Sequence, residues 1–150
     1  MSFFNTMNIA ASGLTAQRAR MDIHAQNLAN VDTTRSAEGG PYQRRVVIFE
    51  ERGAQNRTFS DFIDAAMGRS LPQNQGVRVR SIFTDETPGP LVFDPGHPDA
   101  GPDGYLQRPN VNTVAEMVNM ISASRSYEAN ITTINVTRAM MNRTLEISSR

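Results

Sequence analysis

From Thr113 to Arg150 the chain runs 38 residues without a glycine or a proline. Taken alternately by threes and fours, it gives Met117, Met120, Ser124, Tyr127, Ile131, Ile134, Arg138, Met141, Leu145 and Ser148, seven of the ten apolar or aromatic. A mean spacing of 3.5 residues keeps such a stripe on one side of a helix. A helix of this length spans roughly 50 Å at about 1.5 Å per residue. That exceeds the core of a small domain, so part of the stripe calls for a partner outside its own compact unit. Thr113 followed by Glu116 fits a capping box that opens the helix after Pro109.

The first 30 residues carry a second helical pattern. Met7, Leu14, Met21 and Leu28 recur every seven residues. Small residues crowd this helix: Ala10, Ala11, Ser12, Gly13, Ala16, Ala19, Ala25 and Ala29. Gly13 costs up to about 1 kcal/mol in a helix interior, so only close packing justifies it. An amphipathic helix in a local core would show a similar pattern. Two long heptad-like helices at opposite ends of one chain favour a terminal coiled coil. The first helix is expected to stop near Asn30, where Asp32, Thr33 and Thr34 offer side-chain oxygens that compete with the helical ladder.

The texture changes between the helices. Gly39-Gly40-Pro41 breaks regular structure, and Tyr42–Phe49 is β-prone. Glu51–Asn56 reads as loop. Phe59, Phe62, Ile63, Ala66 and Met67 predict a short helix over Thr58–Met67, and Ser70–Gly76 is again loop. Val77-Arg78-Val79-Arg80 alternates as a half-buried strand does, and Leu91-Val92-Phe93 is expected to return beside it after a turn over Thr84–Pro90. Asp94–Gly104, with three Pro and three Gly, predicts irregular chain, and Gly104–Gln107 a short extended piece. The expected fold is α+β, mainly α: a helical coiled-coil domain from 1–34 and 109–150, and a β-rich insert from 35–108 holding short strands and one short helix.

Composition removes several function classes. Fifteen basic and fifteen acidic residues cancel, which argues against a nucleic-acid partner. The absence of Cys excludes disulfides and thiolate metal sites. No run of 18 apolar residues exists to form a membrane-spanning helix. Met1–Ile9 lacks the basic start and apolar core of a secretory signal. Every basic residue is Arg, whose planar fork suits interface pairing.

Catalytic chemistry finds little footing. Asp94, His97, Asp99 and Asp103 form the one cluster resembling a divalent-cation site. A proline-fixed turn whose carboxylates bond local amides accounts for it as well, and no second His or regular ligand spacing supports a metal. His24 lies within a helix without a catalytic pattern around it and reads as a packing or surface residue. No phosphate loop, nucleophile elbow or triad order is visible. The expectation is a non-enzyme without a cofactor.

Asparagine is the more informative residue. Asn27, Asn30, Asn119, Asn130, Asn135 and Asn142 lie on or beside the long helices, where Asn is a poor interior choice. A polymer interface with register-setting polar contacts explains this, and so does a solvated face. Ala25-Gln26-Asn27-Leu28-Ala29-Asn30-Val31-Asp32-Thr33, preceded by Ala11-Ser12-Gly13-Leu14, resembles the Ala-x-Asn-x-Ala-Asn-x-x-Thr signature of the bacterial flagellar axial proteins, the rod, hook and hook-associated subunits. Gly39-Gly40-Pro41-Tyr42, the run from His97-Pro98-Asp99-Ala100 to Pro109-Asn110-Val111-Asn112, and Glu116-Met117 with Ser124-Arg125-Ser126-Tyr127-Glu128-Ala129-Asn130 extend the resemblance toward proximal-rod members. Arg52–Gln75 carries little of it, the Thr58–Met67 helix being an addition to the family's common length. Gly101-Pro102 replaces a usual acidic turn.

The resemblance implies a structural subunit. Its terminal helices would pack as a coiled coil lining the tube of the rod, its insert would form the outer wall, and export would run through the central channel into the periplasmic space. Implied partners are copies of itself and other rod proteins: proximal rod, distal rod, and the adaptor at the export gate and MS ring. Asn27, Asn30 and Tyr127 are interface residues on the matched motifs. The heptad reading adds Met7, Leu14, Met21, Leu28, Met117, Met120, Ile131, Ile134, Met141 and Leu145. Another rod- or hook-type subunit, a soluble coiled-coil adaptor and a hydrolase using His97 and Asp99 remain the competing readings.

Overall fold

The computed structural model describes residues 3–37, 39–52, 63, 67 and 76–148. Helix α1 spans Phe3–Ala29, and strands β1 (Arg45–Glu51), β2 (Val77–Thr84), β3 (Leu91–Phe93) and β4 (Tyr105–Gln107) precede helix α2 (Thr113–Ser148). No helix among the described residues is long and apolar enough to cross a membrane. The chain divides into two compact units. The first comprises Met1–Arg18, Phe49–Arg80 and Arg125–Arg150, and the second Ala19–Ile48 and Ser81–Ser124.

Helix α1 stops where the sequence predicts. The Asn30 side-chain amide donates to the Gln26 carbonyl at 2.8 Å, and its Oδ1 accepts from the Thr33 hydroxyl at 3.1 Å. Carbonyls orphaned at a helix end are thereby partly satisfied. Helix α2 starts as predicted but by a different device. Asn112, not Thr113, is the cap, its Oδ1 accepting from the Ala115 amide at 3.0 Å. Glu116 does not reach back to close a capping box, because its carboxylate is committed inside the chain. Thr132, Thr133, Thr137 and Thr144 each donate to the carbonyl four residues earlier, so their hydroxyls stay satisfied within the helix.

In the first unit the helices meet through small residues. Ala10 and Ala16 are buried, and a Cβ placed on Gly13 would lie 2.9 Å from the Asn130 side-chain nitrogen. Close packing is therefore why a glycine stands mid-helix. The Ser12 hydroxyl donates to the Ile9 carbonyl at 2.7 Å and accepts the Val77 amide at 3.1 Å, tying β2 to α1. Glu50 on β1 pairs with Arg78 and, at 3.9 Å, with Arg80 on β2. Of the predicted Thr58–Met67 helix only Ile63 and Met67 fall within the described residues, and the Met67 amide donates to the Ile63 carbonyl at 2.9 Å.

Strands β1 and β2 form one two-stranded sheet and β3 and β4 another. The expected return of Leu91–Phe93 onto β2 does not occur. Strand β3 pairs antiparallel with β4 instead, Leu91 opposite Gln107, Val92 opposite Leu106 and Phe93 opposite Tyr105. The proline- and glycine-rich 94–104 run is thus the loop of a hairpin, closed by the Asp94 amide on the Gly104 carbonyl at 3.0 Å. In the second unit Ile23, Leu106, Pro109 and Ala123 are buried, but so are His24, Asn27 and Glu116. This interior is unusually polar.

The inward seam of α2 lies one position from part of the predicted stripe. Glu116, Ala123 and Thr137 are buried, Asn130 meets Gly13, and Met120, Tyr127, Ile134 and Met141 are half-buried. Met117, Ile131 and Leu145 fall outside that seam and are exposed. Hydrophobicity alone pointed at Met117 and Ile131. Fit between closely spaced helices selected the smaller or hydrogen-bonded neighbours, Ala123, Asn130 and Thr137.

Candidate functional site

The most organised polar cluster centres on Glu116, in the first turn of α2. Its side chain is 1% exposed. Oε2 accepts from His24 Nδ1 at 2.5 Å and from Asn27 Nδ2 at 3.0 Å, and Oε1 accepts from Arg44 Nε at 2.7 Å. An ionised carboxylate only accepts, so His24 must carry its proton on Nδ1. Burial pushes the Glu116 carboxyl up, but bonds from Asn27, His24 and Arg44 and the Arg44 charge outweigh it and hold its pKa below the usual carboxylate value.

Asn27 is the second hub, fully buried at 0% exposure. Its Nδ2 donates to Glu116 and, at 2.8 Å, to the Arg45 carbonyl. Its Oδ1 accepts from the Tyr42 hydroxyl and the Arg45 amide, each at 2.9 Å. All four hydrogen-bonding positions of the amide are filled. Exchange of its N and O atoms would set donors against donors, so the orientation is fixed by the network. The amide holds both backbone groups of Arg45 and so pins the first residue of β1 to α1. The Arg45 guanidinium lies 5.9 Å from the Tyr42 ring centroid. Burial raises the Tyr42 pKa, with Arg45 opposing and Glu116 reinforcing the shift.

A backbone ring supports Arg44. Its amide donates to Asn110 Oδ1 at 2.7 Å, Asn110 Nδ2 donates to the Asp85 carbonyl at 2.9 Å, and the Asp85 amide donates to the Arg44 carbonyl at 2.8 Å. Three separate stretches of sequence are thereby cross-braced beneath the carboxylate. Neither His24, Asn27 nor Glu116 lines the two neighbouring clefts. One of about 230 Å³ is bounded by Thr34, Arg35, Gly40, Pro41, Asp99, Leu106 and Gln107. Another of about 320 Å³ is bounded by residues including Ser36, Tyr42, Gln43 and Thr84. The cluster itself is a closed lock: its donors and acceptors serve one another.

Met7, Leu14, Met21 and Leu28 are half-buried on α1, as are Met120, Tyr127, Ile134 and Met141 on α2. Asn30 is half-buried at the helix end. Around His97 no group of three or more His, Asp or Glu is placed to hold a metal ion among the described residues. Asp94 accepts the Gly96 amide, His97 Nδ1 accepts the Asp99 amide at 3.1 Å, and Asp99 accepts the Thr34 hydroxyl at 2.8 Å. The first two are local turn bonds of the kind expected for a proline-fixed turn, and the third ties that turn to Thr34, 65 positions away.

Sequence reasoning missed His24 as a network member, assigned Glu116 to a cap, and gave Arg44 no role. His24 and Glu116 are 92 positions apart, and neither carries a local signal for burial. The nearest signal is that Asn27, Tyr42 and Glu116 each lie in a different matched motif block.

A family model described as "Flagella basal body rod protein" matches residues 7–35. Another, described as "Flagellar basal body rod FlgEFG protein C-terminal", matches residues 103–147. The chain is 44% identical to the flagellar basal-body rod protein FlgC of Bacillus subtilis, covering 98% of this chain and 99% of the relative. It is 45% identical to the FlgC protein of Borreliella burgdorferi, with 98% of both chains covered. The Salmonella typhimurium FlgC protein is 40% identical, again over 98% of both.

Proposed function

The chain belongs to the FlgC family of flagellar basal-body rod proteins, and on that premise we propose that it builds the proximal segment of the rod, polymerising through its terminal helices to form a shaft that transmits torque. The observation that carries the polymerising role is the apolar surface α2 leaves uncovered. Leu145 is 62% exposed and Ile147 78%, and Met117, Ile131, Val136 and Met140 are also exposed. Large apolar side chains left exposed along so much of one helix support a role in contact with partners.

Residues 1–34 and 109–150 supply the polymerising helices in this reading, and 35–108 the outward insert. Met7, Leu14, Met21, Leu28, Met117, Met120, Tyr127, Ile131, Ile134, Met141 and Leu145 line contacts within the chain or with neighbouring subunits. Asn27 acts from inside, by holding the shape that presents those contacts. The neighbours are further copies and other rod proteins toward the distal rod and the export-gate adaptor. The subunit reaches the periplasmic space through the growing structure's channel and catalyses no reaction.

A second reading, another rod- or hook-type axial subunit, is suggested by the description of the C-terminal family model. Coverage of the FlgC relatives from end to end favours the first. Deleting the gene and imaging the cells tests the proposal. Loss of rods, flagella and motility, restored by the wild-type gene, is expected. Normal flagella in the deletion strain would sink it.

A further inference from the structure

The β3–β4 hairpin carries an apolar face that its own chain leaves open. In its register Leu91, Phe93, Tyr105 and Gln107 share one face, and Val92 and Leu106 the other. Leu106 is buried, whereas Leu91, Phe93 and Tyr105 are each more than half exposed. The Phe93 and Tyr105 rings meet edge to face at 5.3 Å, which makes a stiff platform. At its loop end stand two exposed carboxylates, Asp94 and Asp103, neither in an ion pair among the described residues.

Helix α2 carries a surface of matching character. Val114, Val118 and Ile121 recur at helical spacing and are each more than half exposed. Arg125 continues the same stripe one turn on, is exposed, and forms no ion pair among the described residues. The hairpin face is apolar with an acidic end. The helical stripe is apolar with a basic end.

We propose that these surfaces are the two halves of one contact between copies of this chain. The hairpin of one copy seats on the Val114–Arg125 stripe of the next, with Arg125 received by Asp94 and Asp103. The inference rests on the rod-subunit reading, because it names how successive copies meet. The spacings agree: Val114 to Val118 spans about 6 Å of helix and Leu91 to Phe93 about 7 Å of strand, which leaves Arg125 beyond Phe93 on the side of Asp94 and Asp103. A hairpin-on-hairpin contact would crowd four carboxylates together, which like-charge repulsion opposes. Hairpin on stripe joins opposite charges. It is also heterologous, so repetition can extend into an open helical array where an isologous contact would close at two copies.

The chain contains no Cys, so introduced pairs report cleanly. A full-length chain carrying Phe93→Cys and Val118→Cys replaces the wild type in flagellated cells, which are then treated with a mild thiol oxidant. Disulfide-linked dimers and longer ladders of this chain are expected, with monomer from either single variant. Adding Arg125→Asp should reduce cross-linking at least tenfold, and adding Asp103→Arg to that chain should restore it. Should the first pair fail to support flagella, Leu91→Cys with Val114→Cys is read the same way. Motile cells yielding only monomer, a ladder from Phe93→Cys alone, or a cross-link to a different protein would each overturn the contact. Those outcomes leave the rod reading standing, since that reading fails only if the deletion strain builds normal flagella.

Discussion

His24 Nδ1 and Glu116 Oε2 lie 2.5 Å apart, joining the first helix to the first turn of the last across 92 positions of sequence. The pair is buried, and a buried ionised carboxylate is tolerable only because three donors surround it. The consequence is specificity of arrangement. A purely apolar junction tolerates sliding, whereas each bond in this one has a single geometric solution.

Acid should loosen this junction. The folded-state pKa of Glu116 lies below its ordinary value of 4.5, so the unfolded chain takes up the proton first. The stabilisation is therefore complete above pH 4.5 and is lost as pH falls through the folded value. Urea midpoints of the wild type should drop on acidification below that point. The Glu116→Gln chain, weaker at neutral pH, should decline less steeply; parallel curves would refute the assignment.

Asn27 and Asn30 are three residues apart and should respond differently to alanine. Asn27→Ala strands backbone groups of Arg45 and one donor site on Glu116 in a buried place, a loss of about 3 kcal/mol. Asn30→Ala removes bonds at a partly exposed helix end, a loss of about 1 kcal/mol or less. Denaturant unfolding of both variants measures the difference, and equal losses would contradict the network.

Gly76 has a φ of +102°, and a Cβ there would lie 2.0 Å from the Ser12 hydroxyl that receives the Val77 amide. Gly76→Ala is expected to cost about 2 kcal/mol or more, from backbone strain and a broken tie between β2 and α1. Gly39 has a φ of +87° but open space around it. Gly39→Ala should cost only about 1 kcal/mol. Thermal melts of the two variants make the comparison.

His97 holds a turn through the Asp99 amide. His97→Ala should leave motility intact, and chelator should not move the melting temperature of the wild-type chain. A chelator-induced drop, together with loss of motility in His97→Ala, would revive the metal reading.

Leu145 contributes little inside the chain, being exposed. Leu145→Glu should leave the melting temperature of the isolated subunit within about 1 °C, consistent with a surface change of a few tenths of a kcal/mol at most. The same substitution should impair rod assembly and swimming. Full motility would remove Leu145 from the interface.

The two helices were legible because each carries a long uninterrupted 3.5-residue pattern with clear ends, Asn30 and Pro109. Short strands were legible from β-branched runs, and β3 was located residue for residue. Their pairing was not, since Leu91–Phe93 has no local feature that prefers Tyr105–Gln107 over Val77–Arg80. The buried site was largely hidden. Glu116 three residues after Thr113 satisfies a local capping rule, and that rule lost to Asn112 and to the donors converging from α1 and the segment before β1.

The helical ends, the strand-rich middle, the neutral cysteine-free composition and the flagellar motifs can be read from the amino-acid order, because each depends on residues close together in the chain. Which face of α2 turns inward depends instead on contacts between residues far apart in the chain. Gly13 against Asn130 and His24 against Glu116 place a seam of small and polar residues between the helices. Backbones that approach closely have room for those residues and none for Met117 or Ile131. The larger apolar side chains are thereby left outside, on the surface available to the rest of the rod.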